Sequence, residues 1–319
     1  MKSSTFAVLL SFALCLFVGA IAGQAQAPAV PTPADAAMEM VKQGRQLNSQ
    51  GKQDEALALY QQALKASPDL FEAHLGAGVA LDLKGQYAEA RYHLNRALEA
   101  AKPEQKNSAM RTLAMSYAFE GKAGEAAKYE RPLYDEAVAK SDFPTAAEIA
   151  NEQARLFIEA GDLDNAQKWY QMGHETALRK ADLKPEERDL WDFRWENAQA
   201  RIAARRGNRA EAGRHVAAAK AIMDKGTITR GGNTDQTRFW PYLTGYVAYH
   251  TGDYKTAIGE LQKADQRDPF IMLLLAQSYE KTGDAAKAKE LYQQIMTVNS
   301  HNPTNAFARP VARKKLGTS

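Results

Sequence analysis

Six histidines, His74, His93, His174, His215, His250 and His301, are the side chains best suited to proton transfer or metal binding near neutral pH. No two lie three or four residues apart, so no helix face offers the paired imidazoles of a helical metal site. Carboxylate pairs such as Asp54-Glu55 stand at helix starts, where the peptide dipole accounts for them. Neither a Gly-rich phosphate loop nor a Gly-x-Ser-x-Gly elbow is present. No catalytic residue, metal ligand or cofactor is assigned on these grounds, and the expectation is a protein that is not an enzyme. Trp191 and Trp195 stand four apart with Phe193 between them. That spacing suits a packed helix face, with a ligand-stacking face as the alternative. Arg201, Arg205, Arg206, Arg209 and Arg214 form a local basic cluster, read as a solvated face. The formal net charge is +3 with 25% charged residues, so nothing global calls for nucleic acid.

The elements that must position any site follow from one recurring period. Glycines at 51, 85, 121, 161, 207, 252 and 283 each have an alanine five residues later: Ala56, Ala90, Ala126, Ala166, Ala212, Ala257 and Ala288. Seven residues before each glycine stands Gly44, Gly78, Ala114, Ala154, Ala200, Gly245 or Ala276. Fixed-period similarity of this kind marks a stack of helix pairs. Glycine closes the first helix of each pair in a left-handed conformation. Asp162, Asp253 and Asp284 are placed to cap the second. The small residue before the turn and the alanine after it are expected to face each other at the helix crossing. Larger residues nine after the glycine (Tyr60, Leu94, Tyr170, Leu261, Tyr292) would fill the space between pairs. Pro68 and Pro269 are expected to stop the second helix of their pairs.

The order Gly44…Gly51…Ala56…Tyr60…Ala63…Pro68 resembles a tetratricopeptide repeat, as does Gly245…Gly252…Ala257…Leu261…Ala264…Pro269. With five partial matches the resemblance covers about residues 37–298. The departures lie mainly in the middle, at Glu130, Leu133, Gly173 and Ile295. It implies an all-α, right-handed α-solenoid of seven helix-turn-helix repeats with a C-terminal capping helix. The expected layout is a signal peptide at 1–27, a Pro/Ala linker at 28–36, repeats 1–5 at 37–223, a connector at 224–237, repeats 6–7 at 238–300, and a cap and tail at 301–319. The cap helix, 305–316, would cover the exposed end of the stack with Arg313, Lys314 and Lys315 outward.

Lys2 is the only charge in the first 27 residues, and residues 6–22 are an apolar run broken only by Ser11. This is similar to a secretory signal peptide. The chain is therefore expected to be exported, periplasmic or secreted, and membrane-bound only if the segment stays uncleaved. Cys15 is the only cysteine and lies within that segment, so disulfides, thiol nucleophiles and covalent haem are excluded from the mature chain.

The resemblance also implies that the first helix of each pair lines a concave groove. Its exposed positions fall thirteen, ten, six, three and two residues before the turn glycine. Applied here, that places Asn151 and Arg155 in one repeat, Asn197 and Arg201 in the next, and Tyr242 and Tyr246 in the third. Tyr249, Arg111 and Arg45 join them. Each Asn–Arg pair is four apart and shares a helix face. Asparagine can donate to and accept from an extended peptide, and arginine can hold a carboxylate with two hydrogen bonds. The implied partner is a protein or peptide with an acidic group, bound by a scaffold of the bacterial envelope. A glycan or small-ligand binding subunit using Trp191, Trp195 and the tyrosines is the alternative. The Lys/Asn clamp with which some relatives hold chaperone tails is absent, because Val41, Arg45, Gly76, Ser108 and Thr112 occupy its places.

Overall fold

The computed structural model describes residues 32–317. The expected signal segment lies outside them. Among the described residues there are fifteen α-helices and no strand. Seven antiparallel pairs follow in order: α1 (Pro33–Ser49) with α2 (Gln53–Ala66), α3 (Phe71–Lys84) with α4 (Tyr87–Ala100), α5 (Pro103–Phe119) with α6 (Ala123–Ala139), and α7 (Phe143–Ala160) with α8 (Leu163–Ala177). Then come α9 (Pro185–Arg205) with α10 (Arg209–Asp224), α11 (Trp240–His250) with α12 (Tyr254–Leu261), and α13 (Pro269–Thr282) with α14 (Ala285–Thr297). A last helix, α15 (Pro303–Leu316), follows the seventh pair. Each helix packs on its neighbours in sequence, and among first helices α1 packs on α3, α3 on α5, α9 on α11 and α11 on α13. The fold is an α-solenoid.

The turn chemistry matches the period. All seven turn glycines have φ between +72° and +88°, a region costly for any residue with a Cβ. Asp162, Asp253 and Asp284 each accept from the backbone N–H three residues on, at 3.1 Å. All seven alanines after the turns are at most 1% exposed. The small residues before the turns work differently from the expectation. A Cβ on Gly44 would lie 2.7 Å from Tyr60, one on Gly78 would lie 2.5 Å from Leu94, and one on Gly245 would lie 2.7 Å from Leu261. The pairing is thus chiefly small residue to large residue across the hairpin. Tyr60 also presses on Gly76 of the next pair, so one ring locks two repeats.

Three boundaries need correction. Pro33 is the first residue of α1, capped by Thr32, so the linker does not reach residue 36. Pro269 opens α13 instead of stopping α12: its missing N–H costs nothing at a helix start, and Asp268 caps that start. The connector does not part the stack. Its Ile228 is fully buried, Asp189 accepts from Lys225 and Thr227 at 2.7 Å each, and α11 packs on α9.

The largest departure is α15. It packs on α13 and α14 as an end cap would, but also on α5 and α7 at the inner face. Arg313 is not outward: it and Arg309 both donate to the carbonyl of Leu83, at 2.5 and 2.8 Å. Arg309 also donates to the carbonyls of Met296 and Val298, at the end of α14. Ahead of the helix, His301 pairs with the fully buried Asp82 at 2.9 Å and stacks on Phe119, and Asn299 accepts from Gln53 at 3.0 Å. Lys314 and Lys315 do face outward. The C-terminal segment therefore ties the last repeat to the first three and closes the solenoid on itself.

Within α6, Glu130 is 2% exposed. Burial, with Glu152 adding repulsion, pushes its carboxyl up to about 7. The folded value lies above the unfolded one, so the ionised side chain costs stability as the pH rises from about 4.5 through 7.

Three outcomes are expected in urea melts. Ala257→Leu overpacks a fully buried crossing and costs ~1–3 kcal/mol; no loss would disprove the assigned register. Arg309→Ala removes three hydrogen bonds to carbonyls near helix ends, leaving Met296 without a side-chain donor and Leu83 and Val298 with one each, and costs about 2–4 kcal/mol, with Lys314→Ala near neutral. Glu130→Gln gains on the order of 2–3 kcal/mol at pH 8 and little at pH 4.5.

Candidate partner-binding site

The first helices of the pairs present their thirteen-, ten- and six-before positions to the interior as three columns. In the fourth repeat these are Glu148, Asn151 and Arg155; in the fifth, Arg194, Asn197 and Arg201; in the sixth, Phe239, Tyr242 and Tyr246. All but Tyr246 line one cavity of about 390 Å³. Its walls are completed by Phe193, Gln236, Arg238 and the first turns of α13 and α15. Of the six residues singled out in sequence, Asn151, Arg155, Asn197, Arg201 and Tyr242 thus meet at one place. The first turns of α11, α13 and α15 all border it, and helix N-termini favour negative charge.

Tyr246 stands behind the wall. It is 0% exposed, and its hydroxyl donates to Glu159 at 3.0 Å. Its ring packs under the guanidinium of Arg201, whose carbon lies 5.4–6.0 Å from the ring centres of Tyr170, Tyr242 and Tyr246, so Tyr246 does not face a partner as the groove positions imply. Arg201 is only 6% exposed and donates to the Tyr170 hydroxyl at 2.7 Å. It is a wall residue held by three tyrosines, not a free arm.

Charge is unevenly matched here. Glu148 pairs with Arg194 at 2.5 Å, Glu152 with Arg111 at 2.7 Å, and Asp265 with Arg267 at 2.8 Å. Behind the cavity, Glu159 pairs with Arg205 at 2.8 Å. Burial pushes the Glu159 carboxyl up, and Arg205, Arg201 and Arg155 each pull it back. Three guanidinium groups therefore converge on one buried carboxylate. Asp268, beside Arg155, is raised by burial while its carboxyl caps α13 by accepting from the Phe270 N–H at 2.8 Å. Arg155 itself makes no hydrogen bond or ion pair among the described residues. Nor do the side chains of Asn151 and Asn197 find a partner there, although Asn197 is only 9% exposed. An arginine and two amides are thus left with hydrogen-bonding capacity facing a cavity of positive bias.

Other sequence candidates resolve differently. Trp191 is 7% exposed with the Arg194 guanidinium 4.6 Å over its ring, and Trp195 stacks on His174, so the pair is packing and not an open stacking platform. The basic cluster is dispersed: Arg201 and Arg205 turn inward, Arg206 pairs with Asp164, and Arg209 donates to the Thr251 carbonyl. Arg111 is committed to Glu152, and Arg45 is exposed outside the cavity. Tyr249 borders a second cavity, described next. His74 and His93, nineteen apart in sequence, meet at 3.0 Å, but among the described residues no three His, Cys, Asp or Glu side chains gather as a metal site.

Sequence reasoning passed over the two-before column. Phe119, Glu159, Arg205 and His250 occupy it in four consecutive repeats and line a second cavity, of about 530 Å³. Reading that column across the repeats would have found it. Phe270 borders both cavities.

Residues 44–82 match a family model described as TPR repeat, and residues 271–298 match one described as tetratricopeptide repeat. No curated protein gives a match. Among solved structures, a tetratricopeptide repeat protein from Parabacteroides merdae is 12% identical over 86% of this chain and 98% of its own, with a TM-score of 0.49. The APC/C hetero-tetramer Cut9-Hcn1 is 15% identical over 85% of this chain and 48% of its own, with a TM-score of 0.40. The chain thus carries tetratricopeptide repeats at the two ends of one continuous stack, and the same glycine–alanine period runs through every helix pair between them.

Proposed function

We propose that this chain is a non-catalytic adaptor that captures a carboxylate-bearing peptide or protein segment in the cavity between the fourth and seventh repeats. Repeats of this family generally mediate protein–protein interaction. The observation that carries the reading is the trio Asn151, Arg155 and Asn197, left without partners beside a surplus of guanidinium charge. The amide groups of Asn151 and Asn197 stay open to water in the cavity, and a ligand's peptide group can take that water's place. Arg155 supplies the donors for a carboxylate, Asn151 and Asn197 bracket a peptide bond, and Phe193, Phe239 and Ile271 take an apolar side chain. The adaptor works outside the cytoplasmic membrane, in a bacterial envelope; the signal-like segment 1–27 supports that placement.

The test is binding of acidic peptides, with free and amidated C-termini, to the mature chain by fluorescence anisotropy. A pull-down from envelope extract runs in parallel. Arg155→Ala and Asn151→Ala, both half-buried on the cavity wall, should each weaken peptide affinity about tenfold or more, equivalent to ~1.5 kcal/mol. Melting should be unchanged, and wild-type binding should weaken with salt. Affinity indifferent to both substitutions would remove the site.

A further inference from the structure

The second cavity, of about 530 Å³, lies at the C-terminal ends of α5, α7, α9 and α11, with the starts of α4 and α6 and the flanks of α13 and α15 as its remaining walls. One side of it exists because α15 folds inward: Phe307, Pro310 and Val311 form that side. Its lining is dominated by aromatic and aliphatic groups, among them Tyr87, Leu156 and Leu273.

Unlike the first cavity, this one has its ionised wall groups matched. Glu120 is paired with Arg91 and Lys122, at 2.7 Å each, and Glu159 with Arg205. Burial, with Arg205 and Arg201 facing the ring, holds the His250 imidazole down to about 3, so it is neutral at working pH. Four helix C-termini bias the space against anions, the starts of α4 and α6 offset part of that, and the nearby arginines bias it against cations. Neither sign of ligand charge is favoured. Few uncharged polar side chains remain, Gln277 and His250 among them. The His250 ring is fixed between Tyr246 and Tyr249, with centroids 4.3 and 4.9 Å away, and its buried Nε2 has no hydrogen-bond partner.

We infer that this cavity is a second binding site, for an uncharged, largely apolar small molecule that offers one hydrogen-bonding group to His250. The volume lies within the usual range for small-ligand sites, and a mostly apolar wall with a few oriented polar groups is their common construction. The site is separate from the peptide cavity, with Phe270 as the shared partition.

The test uses the full mature chain and two fluorescent probes of similar size, neutral N-phenyl-1-naphthylamine and anionic 8-anilinonaphthalene-1-sulfonate. The neutral probe should bind saturably at one site per chain. Val311→Trp, which fills the cavity from its half-exposed α15 wall, should weaken it tenfold or more, and His250→Phe should weaken it severalfold. Circular dichroism melts confirm that both variants fold. If Val311→Trp fails to fold, Leu273→Phe fills the same space from α13. Arg155→Ala should leave probe binding intact, so this inference and the peptide reading stand or fall separately. Absence of saturable binding, preference for the anionic probe, or binding unmoved by folded cavity-filling variants would overturn the assignment.

Discussion

Everything inside this molecule depends on where the guanidinium of Arg309 is seated. It joins the carbonyl end of α3, at Leu83, to the end of α14, at Met296 and Val298, and so ties the second repeat to the seventh. A helix C-terminus presents carbonyls without partners and a partial negative charge, and a guanidinium has five donors in a fixed fork. The match is chemical, but it has a cost. Among the described residues no carboxylate pairs with the buried group, and burial together with Arg313 pulls its pKa down to about 10. The surrounding alanines, Ala306, Ala308 and Ala312, let α15 approach closely enough for the seat to form.

That closure changes what the groove is. An open solenoid would offer a continuous concave face. Here α15 occupies the part against α5 and α7, and what remains is divided at Phe270 into two compartments. They differ in electrostatics because different columns of the same helices line them. The outer columns bring surplus arginine and unpartnered amides together near three helix N-termini. The two-before column brings Glu159, Arg205 and His250 near helix C-termini, where their charges are matched or suppressed. One repeat geometry therefore yields two chemically distinct spaces.

Much of the scaffold was legible because each signal is local. A left-handed glycine, a capping aspartate three residues before the N–H it serves, and an alanine at a crossing are constrained by their own hairpin. The repeat period also placed Asn151, Arg155, Asn197, Arg201 and Tyr242 in register, since equivalent positions of stacked helices face the same way. Glu130, which breaks the pattern at an apolar position, is buried as that position demands and is left with a raised pKa. Pro269 was misread because a proline after one helix and at the first residue of the next look alike in sequence.

What the sequence by itself determined is the unit: seven helix pairs, their turns, and the columns that point inward. Only the tertiary structure decided which inward residues reach a ligand. Tyr246 and Arg201 sit at equivalent positions to Arg155, yet they are buried against Tyr170 and Glu159 from other repeats, while Arg155 is not. Likewise nothing near Arg309 or Arg313 in sequence names Leu83, some 226–230 residues away, as their acceptor. The reason is cumulative. Small rotations between repeats add along the stack, and whether its ends meet depends on their sum, which no single repeat encodes.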